Sequence, residues 1–235
     1  MSFLVFILGL LLGSFLNCLV YRLNEAKNWR KFFFGRSYCP RCKRNLRCFD
    51  NLPLLSFFLL KGRCRWCHSP ISWHYPLVEL ATGVLFVTAY HLQFTIYNLL
   101  IIYALIGIFL SDLLYRTIPD QLVYPALFIS LIFFTTNLLS GLGVAAFFFL
   151  LVLLTRFRGM GLGDVKLAGL MGLFLGFPKI IVALYLAFLT GALTGVILVL
   201  TKRKKMKSEI AFGPFLVLAT LIAWFWGEKI WQFFL

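Results

Sequence analysis

Eight apolar runs constrain this chain more than any other feature. They fall near 3–21, 76–91, 95–112, 121–138, 141–155, 163–177, 179–201 and 211–234. A helix needs about 20 predominantly apolar residues to cross hydrocarbon, because each of its backbone N–H and C=O groups must be satisfied inside the segment. The runs at 141–155 and 163–177 are short, which is acceptable where neighbours bury them or the bilayer thins around them. Between the first two runs lies one sizeable polar insertion. The expectation is an all-α polytopic membrane protein of about eight transmembrane helices. Its parts are a first transmembrane helix (1–22), a cytoplasmic insertion (23–75) and a seven-helix membrane domain (76–235). Composition agrees: 61% of residues are hydrophobic and 13% charged, against roughly half and a quarter in soluble domains.

Charge orients the spans. The segment from Arg22 to Trp73 holds twelve Lys/Arg, and the loop around Arg116 holds one. The loop with Arg156 and Arg158 has two, Lys166 lies just beyond it, and "KRKKMK" (202–207) has five. With eight spans these 21 share one side, and only Lys179 and Lys229 fall on the other. Basic loops stay cytoplasmic, so both termini are expected outside. The net charge of +15 is then a topology signal and not the basic face of a nucleic-acid binder. The first 20 residues carry no basic n-region and the basic residues follow them, which predicts a retained helix and not a cleaved signal. Within that helix, "GLLLG" (residues 9–13) has the small-xxx-small spacing of a close helix contact.

The insertion contains "CPRCKRNL" and "CRWCHSPIS". Cys39-x2-Cys42 and Cys64-x2-Cys67 are separated by 21 residues, just beyond the usual range for paired zinc knuckles. Each C-x2-C turn brings two thiolates to one metal, and two turns complete a tetrahedral shell with no open position. A structural Zn2+ in a zinc-ribbon-like fold is expected. Arg41, Lys43, Arg63 and Arg65 would favour the thiolates, and a reducing cytoplasm disfavours disulfides. His68 is an alternative ligand to Cys67, while Cys18 and Cys48 read as packing residues. "DNLPLLSFFLL" is expected to dock on the membrane or on span ends.

Only eight acids exist, so each can be weighed. Glu25, Asp50, Glu209 and Glu228 fall in loops or at span ends, where solvated roles are expected. Glu79 sits one turn into the second span, where a charge costs up to roughly 2.5–3.5 kcal/mol at the bilayer centre and less near its surface. It is either a functional group or a hydrogen-bond partner for Asn17 or Ser14. Asp112 ends the third span, Asp120 starts the fourth after Pro119, and Asp164 opens the sixth after Gly159, Gly161 and Gly163. All three lie at similar cytoplasmic depth. Two carboxylates at one depth on different helices can meet, share one proton and activate a water, as an aspartic peptidase requires. The alternative is separate surface caps paired with Arg116 and Lys166.

At this point the chain resembles type IV prepilin leader peptidases, membrane aspartic peptidases with a G-x-G-D signature. "GLLLGSFLNCLVYRL" is similar to the first-span motif of that family. The stretch from "CPRCKRNL" to "SWHYPLVE" is similar to its zinc-binding region. "DLLYRTIPDQL" resembles its D-x3-R-x-I-P-[DN] element, "GMGLGDVKLAG" the G-x-G-D element, and "IAFGPFL" a motif at the last span. The resemblance implies that Asp112 and Asp164 are catalytic and that Asp120, at a position often filled by Asn, is not. It implies a prepilin or pseudopilin substrate whose short basic leader is cut after a glycine at the cytoplasmic face of the inner membrane. It further implies N-methylation of the new N-terminus with S-adenosylmethionine in many members. Glu79 and Asn17 are candidates for that cofactor's pocket. The chain departs from the family at Asn24, where a Pro is usual, and in the basic aromatic stretch "KNWRKFFFGR"; a change of local loop geometry alone is expected. The glycines before Asp164 are expected to let the backbone turn tightly, to disfavour helix and to admit a leader strand. A non-enzymatic scaffold with a zinc ribbon is the alternative, but it has no need of two acids at matched depth. A transporter would carry acids near mid-span and an internal repeat, and neither is visible.

Overall fold

The computed structural model describes residues 1–25, 37–92, 95–156, 160–201 and 211–234. The stretch "KNWRKFFFGR" (27–36), Arg158, Gly159, "KRKKMK" and Glu209 lie outside the described residues. The described residues are helical apart from short turns and two isolated antiparallel bridges. The helices are α1 (Ser2–Glu25), short α2 (Leu55–Leu59), α3 (His74–His91), α4 (Ile96–Tyr115), α5 (Asp120–Phe133), α6 (Leu138–Leu154), α7 (Leu162–Leu175), α8 (Lys179–Leu200) and α9 (Gly213–Phe234). Each apolar run thus contains a helix, of only 14 residues in α5 and in α7. Four segments are long and apolar enough to cross a membrane by length and composition: Ser2–Glu25, Ile96–Tyr115, Thr135–Leu154 and Lys179–Leu198.

One boundary differs from expectation. The run at 121–138 does not continue to its end, because α5 stops at Phe133 and a 3-10 turn covers Thr135–Asn137. "TTN" combines two β-branched residues with an asparagine, all weak helix formers. The Asn137 side-chain amide donates to the Leu173 carbonyl, 3.0 Å away, so the break is held by a tertiary bond. The short run at 163–177 is buried as required: every residue from Leu167 to Leu175 is buried.

The chain separates into two compact units, Met1–Leu99 and Leu100–Leu235. In the first, α1 packs on α3. A Cβ at Gly9 would lie 2.8 Å from Gly83 Cα, and one at Gly13 would lie 2.8 Å from Glu79 Cα. The "GLLLG" spacing is therefore a helix contact that only glycine allows. Gly13→Val should force the pair apart and cost about 1–3 kcal/mol. Thermal unfolding in detergent should show a lowered midpoint, whereas Gly143→Ala, whose new methyl meets nothing within 4 Å, should not lower it, because alanine is the better helix former. In the second unit α7 is the buried centre, touched by α5, α6, α8 and α9. It meets α6 through glycine again, since a Cβ at Gly172 would come within 2.7 Å of Gly141 Cα.

Candidate active site and metal centre

Asp112 sits one turn before the end of α4 and is buried at 6% exposure. The chain reverses just beyond it. Arg116 adopts φ +55° and its N–H donates back to the Asp112 carbonyl at 3.0 Å, a left-handed cap that ends the helix. Ser111 and Thr117 hydroxyls lie 3.2 Å apart across the same turn. Ile118, next in the turn, packs on Gly163, where a Cβ would fall 3.0 Å from Ile118 Cβ. This packing brings the loop after Asp112 against the start of α7.

Asp164 is the third residue of α7, and its Oδ2 accepts the Gly161 N–H at 3.1 Å, capping the helix. Asp164 is half-buried. Asp112 and Asp164 thus belong to one unit, and the loop after the first packs on the helix that carries the second. Asp112 Oδ2 has no hydrogen-bond partner among the described residues, an unusual state for a buried carboxylate oxygen.

Asp120 does not join them. It begins α5 without capping it, and its Oδ1 takes the Lys166 ammonium at 2.7 Å. The same ammonium sits 5.0 Å over the Tyr124 ring. The pair is partly solvated, so its contribution to stability is about 0–1 kcal/mol. The expected role of the glycines needs correction. Gly161 is extended (φ −90°, ψ 160°), and Gly163 lies inside the helix, not in a tight loop. At Gly163 the absent side chain serves packing on Ile118.

In the first unit the four cysteines converge. The Sγ atoms of Cys39, Cys42, Cys64 and Cys67 all lie within 4.8 Å of one another, and those of Cys39 and Cys67 are 3.9 Å apart. Four thiolates at about 2.3 Å from one zinc would have sulfurs about 3.8 Å apart. The donor set therefore fits a tetrahedral metal, and the cysteines are free thiols. The two knuckles repeat one geometry. Cys39 N–H donates to Arg44 O, and Lys43 N–H to Cys39 O. Likewise Cys64 N–H donates to Ser69 O, and His68 N–H to Cys64 O. Lys43 (φ +59°) and His68 (φ +53°) make the equivalent left-handed turn. His68 is an exposed turn residue, and Cys67 is the fourth sulfur.

The thiols share charge unequally. The Ser69 hydroxyl, 3.1 Å from Cys67 Sγ, and the Ser69 amide hold the Cys67 pKa down at about 6. At Cys42 an Arg44 amide favours thiolate, yet partial desolvation and the neighbouring sulfurs push the value up to about 11. Four adjacent thiols do not ionise together without a cation between them, which is the deficit a divalent metal corrects.

Several side chains depart from their expected solvated or thiolate-favouring roles, whereas Glu79 makes the expected bond to Ser14. Asp50 is not solvated: its side chain is 2% exposed, Arg65 binds Oδ1 at 2.7 Å, and the Arg47 amide donates to Oδ2 at 3.0 Å. It thereby ties the first knuckle to the second, and Arg65 serves Asp50 and not the thiolates. Lys43 lies 5.6 Å over the Tyr38 ring. Glu228, though exposed, pairs with Lys179 at 2.9 Å. Glu79 accepts the Leu54 N–H at 2.8 Å and bonds the Ser14 hydroxyl, while the Asn17 amide donates to Tyr75 O at 3.2 Å. These polar groups fasten the insertion and the α1–α3 pair. No local sequence signal marks Asp50 or Leu54, because both bonds join residues brought together only by folding.

Comparison with known proteins shows the family. Residues 7–93 match the family description "Bacterial Peptidase A24 N-terminal domain", and residues 99–196 match "Type IV leader peptidase family". The chain is 35% identical to the prepilin leader peptidase/N-methyltransferase of Aeromonas salmonicida (strain A449), covering 99% of this chain and 93% of that protein. It is 35% identical to the protein of that name from Legionella pneumophila, over 98% and 93% of the two chains. The corresponding protein of Pseudomonas aeruginosa is also 35% identical, over 95% and 90%. No solved structure matches the chain.

Proposed function

The chain belongs to the type IV leader peptidase family, and on that premise we propose that it removes the short basic leader from prepilins or pseudopilins with Asp112 and Asp164 as its aspartate dyad. The observation that carries this reading is a buried Asp112 and a half-buried Asp164 on two helices joined by the packing of Ile118 on Gly163, beside each acid in turn. One carboxylate takes a proton from a water while the resulting hydroxide bonds to the scissile carbonyl carbon. The other, protonated, donates to the carbonyl oxygen. Collapse of the tetrahedral intermediate breaks the C–N bond as a proton passes to the leaving amine. The Asp120–Lys166 pair stands outside this exchange. A scaffold role leaves the paired acids without a purpose and is not favoured.

The protein is a multi-pass membrane protein of the inner membrane. In the proposed topology eight helices cross it, with both termini outside and the insertion and dyad cytoplasmic, where a basic leader waits. By function, 1–22 is the first transmembrane helix, 23–75 the zinc-binding insertion and 76–235 the peptidase part, although the packing division groups α3 with the first two. One structural Zn2+ is held by Cys39, Cys42, Cys64 and Cys67. It supplies fold and no reaction step, because four protein ligands close its shell. Leu55, Phe58 and Leu59 of α2 are exposed while Phe57 is buried, and that apolar side faces lipid at the membrane surface.

Methylation of the new N-terminus by S-adenosylmethionine is the second proposed activity. Its support is the shared name of the relatives, and no residue is assigned to the methyl donor. The test is co-expression with a prepilin followed by mass spectrometry. The wild-type enzyme should yield a mature pilin lacking its leader and carrying one extra methyl group. A leaderless product without that mass would remove the methyl-transfer proposal alone, and uncut prepilin would remove the peptidase proposal.

A further inference from the structure

Residues Ala211 to Leu216 of the motif "IAFGPFL" lead into α9, Ile210 lying outside the described residues, and neither the metal centre nor the dyad accounts for them. Gly213 is the first residue of that helix and is buried. Its Cα lies directly on the Asp112 carboxylate. A Cβ built there would fall 2.6 Å from Asp112 Oδ2, 3.1 Å from Cγ and 3.3 Å from Asp112 Cβ. The first distance is closer than real side-chain contacts allow, so the position admits no side chain while Asp112 keeps its place.

The amides of this turn matter as well. The first N–H groups of a helix have no partner within it. In α9, Pro214 has none to offer, and Phe215 and Leu216 donate to the Phe212 carbonyl. The Gly213 N–H is aimed at the Asp112 carboxylate, so the positive end of α9 also faces that acid. Asp112 Oδ2 stays buried and unpartnered beside it.

We propose that Gly213 is a positioning residue of the peptidase. Its missing side chain and its amide hold the Asp112 carboxylate so that Oδ2 is left free to engage the attacking water. This rests on the dyad reading above. Gly213 acts through Asp112 and touches neither leader nor water. A glycine is required because only a backbone can come this close and still present its N–H.

The experiment uses full-length Gly213→Ala in detergent micelles with a purified prepilin. The added methyl displaces the carboxylate, and a misplacement of about 1 Å is enough to cost on the order of 100-fold in rate. The expected result is a kcat at least 100-fold lower with KM unchanged and zinc content retained, while Gly143→Ala matches wild type. Added to Asp112→Asn, the Gly213→Ala change should lower residual cleavage no further, because both act on one carboxylate. Wild-type kcat in Gly213→Ala, or a loss confined to KM, would overturn the proposal. If Asp112→Asn itself cleaves at close to the wild-type rate, the dyad reading fails instead. Should Gly213→Ala not accumulate, Gly213→Ala/Asp112→Ala should restore accumulation by removing the clash. A double variant that also fails to accumulate would overturn the proposal.

Discussion

Replacing Cys39 and Cys64 together by serine should strip the metal from the protein and unfold the insertion. One ligand from each knuckle is lost, so neither C-x2-C turn can complete a four-sulfur shell. The consequence is large because the insertion has little else to hold it. Its buried apolar residues are few, Phe57 and the two cysteines themselves among them, and its regular backbone structure among the described residues is limited to short helical turns and two isolated bridges, at Tyr38–Asn45 and Arg63–Pro70. Structural zinc in small knuckle peptides contributes about 10–16 kcal/mol at pH 7, far more than the Asp50–Arg65 bond can replace. Metal analysis should give one zinc per wild-type chain and none in the double variant, with new protease cleavage between Cys39 and Cys67. A wild-type chain without zinc, whose four thiols titrate freely, would refute the assignment.

Asp112→Asn and Asp164→Asn should each reduce leader cleavage by at least 1,000-fold while leaving protein level and zinc unchanged. Asparagine keeps the size of each side chain and removes the proton exchange. General acid–base steps contribute about 100- to 10,000-fold each, and a dyad that loses either member loses both roles. The fold should survive because neither acid bears a salt bridge on which a helix depends. Asp112 has a free buried oxygen, and Asp164 makes its cap to Gly161 through an oxygen that asparagine also supplies. Asp120→Asn should retain most activity, since it loses only a partly solvated ion pair with Lys166.

The helices were legible in the sequence because lipid imposes a simple rule on composition. The break at Phe134–Asn137 was not, since it depends on the Asn137 bond to Leu173, 36 residues away. The cluster of four cysteines could be read from spacing alone, because each C-x2-C turn sets two sulfurs side by side. The "GLLLG" contact was also legible, but its partners Glu79, Thr82 and Gly83 were not, because helices apolar on every side carry no stripe to mark the packed face. Asp50 was misread as solvated because its partner Arg65 lies on the other knuckle. The glycines ahead of Asp164 were read as a loop on intrinsic preference, and tertiary packing against Ile118 overrode it at Gly163. Gly213 gave only a motif, since its meaning depends on a carboxylate 101 positions earlier.

The central claim is that Asp112 and Asp164 act as one unit on one water. The direct measurement is residual leader cleavage by purified Asp112→Asn, Asp164→Asn and the double variant, followed by mass spectrometry over long incubation. Residues that work as a unit are non-additive, so the double variant should cleave no more slowly than either single one. A double variant slower by the product of the two single losses, or substantial cleavage by Asp164→Asn alone, would contradict the dyad.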